Sequence, residues 1–233
     1  MTGAEPLWNV ADQLAPGRAA LLIIDLQNDF THPDGHLARR KGVDVTPVRN
    51  RFAAVTRLVT QARRGGVPVI WLSVVHDVAS EPANYLAAQL AKPPGAEAIT
   101  RDDLLAHRGT WGCAWDAALP TPLEAETRLE KPGYNGFHRT RLAEILEQRG
   151  VSTLVFCGCN TNVCIQATAA EGFARGYYIV LASDACAALD GEQAHQAALA
   201  THRKYYGHTL TTSEILPHWP PLGPRADSSP ATP

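Results

Sequence analysis

The spacing of hydrophobic positions changes period repeatedly along the chain, and each change marks an element. Residues 19–24 form an unbroken apolar run closed by Asp25, as a parallel strand buried on both faces requires. From Pro47 to Arg64 the apolar positions Phe52, Val55, Leu58, Val59 and Ala62 recur at helical spacing, and Gly65-Gly66 stops the pattern. A second mostly apolar run covers Val67 to Val75. The same reading predicts a short strand from Thr127 to Lys131, a helix over 140–149 and a strand over 153–157. A helix from Cys164 to about Arg175, a strand over 177–182, a helix over 192–206 and a short strand over 209–212 complete the series. Strand alternating with helix predicts a doubly wound α/β fold.

Two stretches break the rhythm. Residues 76–122 mix helical pieces with Pro and Gly and read as a long excursion over one face, the kind of segment that carries a site. The Pro-rich stretch from Pro217 has too little apolar content to fold by itself. The expected organisation is an N-terminal extension over 1–18, one domain over 19–216 and a flexible tail over 217–233.

Composition narrows the class. With 233 residues, 45% apolar and 19% charged, the chain fits one α/β domain with a large core. A net charge of −2 with scattered basic residues gives no electrostatic footprint for nucleic acid. No apolar stretch approaches the length that spans a bilayer, and residues 1–15 lack a basic start followed by an apolar core, so a cytoplasmic protein without a membrane partner is expected. Five cysteines, an odd number, argue for reduced thiols rather than a disulfide framework.

The cysteines also hold the candidate chemistry. In Thr153-Leu-Val-Phe-Cys-Gly-Cys-Asn-Thr-Asn-Val-Cys164 an apolar run ends in a Gly-containing turn and gives way to an Ala-rich helical pattern. Cys164 is thereby set at a helix start, where free N–H groups and the helix dipole favour the nucleophilic thiolate. The plainer alternative is a small buried cysteine that packs the helix–sheet junction. The spacing of Cys157, Cys159 and Cys164 contains no C-x-x-C pair and is poor for a metal. In an open parallel sheet, ligands bind outside the carboxyl ends of the strands. Asp25, Lys131 and Cys164 all occupy such ends: a carboxylate to take the thiol proton, an ammonium to stabilise both charges, and a nucleophile. Singly, Asp25 also reads as a capping or ion-pairing residue and Lys131 as a solvated loop charge.

Three segments carry a resemblance: Leu22-Ile-Ile-Asp25-Leu-Gln-Asn-Asp29-Phe, Lys131-Pro-Gly-Tyr134-Asn-Gly-Phe137-His-Arg-Thr140, and Gly158-Cys-Asn-Thr-Asn-Val-Cys164 followed by Ser183-Asp-Ala-Cys186. Together, in this order from about Ala19 to Thr212, they resemble the isochorismatase-like cysteine hydrolases. The resemblance implies a three-layer α/β/α domain with a six-stranded, mostly parallel sheet, assembled as a homodimer or homotetramer. It implies an Asp25-Lys131-Cys164 triad. It also implies an oxyanion hole from the N–H groups of Asn160 and Cys164, with a cis peptide at Cys159–Asn160. No cofactor and no metal are expected. The nicotinamidase metal motif is missing, because the segment after the second strand reads His76-Asp-Val-Ala-Ser-Glu and His76 alone reads as a polar residue lining the strand end.

Retention of Cys164 favours C–N hydrolysis of a small linear amide or ureide over vinyl-ether hydrolysis. The Lys131 to Phe137 segment and Gly109-Thr-Trp111-Gly are similar to members acting on ureidoacrylate, biuret or N-carbamoyl amino acids. Phe30, Trp111 and Tyr134 are the candidate substrate-binding residues, since rigid aromatic walls hold a flat amide in line for attack; Trp115 reads as ordinary packing. Arg139 and Arg141 are candidate carboxylate receptors, though arginines at a helix start are mostly solvated. A nicotinamidase-like activity, a non-catalytic scaffold, and a redox switch joining Cys164 to Cys157 or Cys159 are the alternatives.

Overall fold

A computed structural model describes residues 5–90 and 98–222. Six strands, β1 (Ala19–Ile24), β2 (Val69–Val74), β3 (Thr127–Lys131), β4 (Thr153–Cys159), β5 (Tyr178–Ala187) and β6 (Gly207–Leu210), form one sheet in the order β3-β2-β1-β4-β5-β6. Every neighbouring pair is parallel. The helices are α1 (Val10–Leu14), α2 (Asn28–Thr31), α3 (His36–Lys41), α4 (Thr46–Arg49), α5 (Phe52–Gly65), α6 (Ala83–Leu90), α7 (Leu142–Gln148), α8 (Gln166–Ala174), α9 (Glu192–Tyr205) and α10 (Thr212–Ile215).

The unbroken apolar run of β1 is explained by burial on both faces. Leu21 and Ile23 join one core with Val55, Leu58 and Val59 of α5, whereas Leu22 and Ile24 join a second core with Leu142 and Leu146 of α7, Ala169 of α8 and Leu199 of α9. These are the two outer layers of the sandwich, and each fully buried aliphatic side chain contributes on the order of 1.5–3 kcal/mol. Gly158 lets β4 lie close to β1: its φ is 118°, and a Cβ there would collide with the carbonyl oxygen of Ile24. The helix expected from Pro47 divides into α4 and α5, because the chain tightens at Asn50–Arg51 with an i→i+3 bond from Arg51 N–H to the Val48 carbonyl at 3.0 Å. Its end is as expected, with Gly66 left-handed at φ 70°.

The boundary expected at 217 falls inside packed structure. Trp219 is fully buried and its Nε1 donates to the Leu14 carbonyl at 2.9 Å, which ties the end of the domain to α1; Pro-rich composition hid this anchor. The remainder of the expected tail, 223–233, lies outside the described residues. All five cysteines are free. Among the described residues no helix is long and apolar enough to cross a membrane.

Candidate active site

The strand order reverses between β1 and β4, and there the three strand-end residues converge. Asp25 leaves β1 in the left-handed region at φ 52°, a conformation that aspartate tolerates better than most residues. Its N–H still donates to the Leu72 carbonyl at 2.9 Å, so the chain stays in register while the carboxylate turns to the sheet end. Oδ1 accepts the Val74 N–H at 2.8 Å, and Oδ2 accepts Lys131 Nζ at 2.8 Å. Lys131 ends β3, two strands away, and a long stem is needed to cross the end of β2. Nζ also donates to the Gly133 carbonyl at 2.8 Å. Both side chains of the ion pair are fully excluded from solvent.

Cys164 lies inside a turn rather than at a regular helix start. Residues Thr161–Ile165 wind with a π-helical i→i+5 bond from Ile165 N–H to the Asn160 carbonyl at 3.1 Å, and α8 follows. Thr168 fixes this turn to the Lys131 loop: its hydroxyl donates to the Cys164 carbonyl at 2.7 Å and accepts the Gly136 N–H at 2.9 Å. The Cys159–Asn160 peptide is cis. The Asn160 side chain accepts the Leu189 N–H at 3.0 Å, which holds the residue against the chain after β5.

The helix-start effect that favours a thiolate at Cys164 is opposed by its burial. Burial pushes the Cys164 thiol well above its ordinary range, and the Asp25 charge pushes it further; the Lys131 charge opposes them without prevailing. Burial pulls the other way on Lys131, but attraction to Asp25 and Cys164 outweighs it and the ammonium sits above the usual lysine range. Burial likewise raises Cys157, Cys159 and Cys186, whereas redox-sensing thiols are exposed and acidic. Burial and the Asp25 charge therefore favour the protonated thiol at Cys164, beside the Asp25–Lys131 ion pair.

A cavity of about 290 Å³ opens onto Cys164. Phe30, Tyr134 and Asn160 line it. Trp111 does not. It stands about half exposed, T-stacked on His32 at 5.0 Å, beside a separate surface depression with Asp29 and Arg39, because Asp29 pins its loop elsewhere. The Asp29 carboxylate accepts the N–H groups of His36 at 2.9 Å and Ala106 at 2.6 Å, and lies so close to Gly112 that a Cβ there would strike it. Trp115 packs edge-on against Trp71 at 5.0 Å. Arg139 and Arg141 are exposed, and Arg141 pairs with Glu144 at 3.0 Å.

Sequence reading missed three residues on the cavity wall, Tyr85, Gln89 and Lys41, whereas His76 beside them is the polar residue it read at the strand end. His76, buried, places Nδ1 2.9 Å from Glu81 Oε1 and Nε2 2.8 Å from the Tyr85 hydroxyl, so both ring nitrogens are engaged by the protein. Tyr85 stacks on His76 at 4.7 Å, and Gln89, one turn on along α6, donates to the Tyr134 hydroxyl at 2.6 Å. Only a helical repeat in the excursion, Tyr85 to Gln89 at i and i+4, would have flagged them. The third, Lys41, closes α3 at the cavity rim.

The isochorismatase domain family matches residues 19–214. The ureidoacrylate amidohydrolase RutB of Methylobacterium radiotolerans is 36% identical over 200 residues, covering 83% of this chain and 76% of that protein. RutB of Acinetobacter baylyi is 30% identical over 215 residues, covering 88% and 85%. The crystal structure of a cysteine hydrolase from Pseudomonas syringae pv. phaseolicola 1448A superposes with a TM-score of 0.77 at 26% identity, covering 94% of this chain and 98% of that one.

Proposed function

The chain belongs to the isochorismatase family, and from that premise we propose that it is a cysteine amidohydrolase that cleaves a C–N bond of a small ureido compound. The observation that supports this most is the fully buried Asp25–Lys131 ion pair in hydrogen-bonding reach of the Cys164 thiol, opening on a cavity. Asp25 takes the thiol proton as Cys164 Sγ bonds to the ureido carbonyl carbon. The oxyanion rests on the N–H groups of Asn160 and Cys164. Asp25 returns the proton to the departing nitrogen, and ammonia leaves an acyl group on sulfur. Water, deprotonated by the same carboxylate, then releases the acid or carbamate and restores the thiol. Lys131 stays charged throughout and keeps Asp25 fixed. Phe30, Tyr134 and Tyr85 wall the substrate.

On the same reading the enzyme is cytoplasmic, as its reduced cysteines favour, and works as a homodimer or homotetramer. The exposed aromatic rings of Phe173 on α8 and Tyr205 on α9 supply apolar surface that such an assembly covers. Ammonia release from ureidoacrylate, biuret, an N-carbamoyl amino acid and nicotinamide, run beside Cys164→Ala, tests the proposal. Turnover of a ureide that drops by about a thousandfold or more in the variant is expected. Equal release by both proteins removes Cys164 from its role.

A further inference from the structure

Resting on the ureide reading above, we infer that Lys41 receives a carboxylate carried by the substrate at the end remote from the scissile carbonyl, and so selects anionic ureides. The cavity has a reactive end, where Cys164 meets Val74 and Asn160, and a rim where α3 ends. Phe30, Leu37, Val43 and Leu189 supply apolar wall to the same cavity, and a charged substrate tail there needs a cationic partner.

The cations near the site divide clearly. Lys131 is committed to Asp25 and to the Gly133 carbonyl. His76 has both ring nitrogens engaged, and burial holds the ring below the usual histidine range, so it carries no charge to offer. Three basic residues crowd the last turn of α3: Arg39 pairs with Asp34, Arg40 borders the surface depression beside Trp111, and Lys41 alone borders the cavity. Among the described residues no carboxylate pairs with Lys41, which is exposed.

One anion shares the wall. Asp190 accepts from Asn162 Nδ2 at 2.7 Å, which ties it to the turn that carries Cys164. A negative group and an unpaired positive one on the same wall orient an anionic tail toward Lys41. The C-terminal end of α3 supports a cation at that position, but helix-end stabilisation does not explain why this one faces the cavity.

Ammonia release is measured for the wild type, Lys41→Met and Lys41→Arg with ureidoacrylate and with its methyl ester, at low and high ionic strength. Lys41→Met is expected to raise KM for the acid about fivefold, the scale of an exposed ion pair, while kcat and both constants for the ester stay within about twofold. Lys41→Arg restores most of the loss, and salt narrows the difference. Calorimetric binding of the acid to Cys164→Ala, with and without Lys41→Met, reads the same contact without turnover. An equal change for acid and ester, or none for either, overturns the role of Lys41 and leaves the hydrolase reading standing. Undiminished turnover by Cys164→Ala overturns that reading instead.

Discussion

Replacing Lys131 by Met keeps the stem and removes the charge. Nζ is 2.8 Å from Asp25 Oδ2 with both side chains fully buried, which at an effective dielectric of about 20 is about 6 kcal/mol of gross attraction. Desolvation of two ions offsets most of this, so the pair is worth little as a unit, yet removal of one partner strands the other. Lys131→Met should therefore cost about 3–5 kcal/mol, the toll of an uncompensated buried charge that retains only the Val74 N–H. For a chain of this size that is a fall of about 6–20 °C in Tm. The double variant Lys131→Met with Asp25→Leu should recover a large part. Urea denaturation followed by circular dichroism measures both, and the pH dependence provides an internal check. The folded-state pKa of Lys131 is raised, so its contribution is complete below about 10.4, the unfolded lysine value, and is lost as pH climbs through the higher folded value; Lys131→Met flattens that alkaline fall. A cost below about 1 kcal/mol, or strictly additive single and double variants, would refute the buried-pair argument.

Two further outcomes follow from burial. Alkylation of Cys164 by iodoacetamide should be slow at neutral pH and still rising beyond about pH 9, since burial and Asp25 hold the thiol protonated; a rate that levels off below pH 7 would show a resting thiolate. Trp219→Ala should destabilise by about 3–5 kcal/mol in the same urea titration, and an unchanged midpoint would return the segment after Pro217 to the status of a loose tail.

The elements legible from sequence are those whose pattern and environment agree. β1 and β4 are continuous apolar runs because both their faces meet helices, and α5 is readable because one stripe faces the sheet while Gly66 ends it. Asp25, Lys131 and Cys164 could be named because strand ends in a doubly wound sheet converge. What pattern could not supply was tertiary assignment. Lys131 looks like a solvated loop charge until β3 is placed at the sheet edge with its last residue turned inward. Trp111 and Tyr134 are alike as aromatics on loops, yet Asp29 draws the Trp111 loop toward α3, while Thr168 ties the Tyr134 loop to Cys164. Trp219 was masked by its prolines, and α6 by an excursion whose helix buries no residue of its own.

A protonated thiol, the form that burial and Asp25 favour at Cys164, fits the charge balance of the proposed site. With Asp25 ionised, Lys131 protonated and Cys164 neutral, the three buried groups sum to zero. Loss of the thiol proton to solvent would leave a net negative charge among these buried groups, and burial and Asp25 both oppose it. In the proposed mechanism, transfer of that proton to Asp25 while the C–S bond forms keeps the sum unchanged and moves the negative charge onto the substrate oxygen, the charge an oxyanion hole receives. In that mechanism the proton is then stored for the departing nitrogen on a carboxyl group still held by Val74 and Lys131. On the proposed mechanism, a buried ion pair that contributes little to net stability lets a single proton shuttle between sulfur, carboxylate and leaving group without the three groups acquiring a net charge.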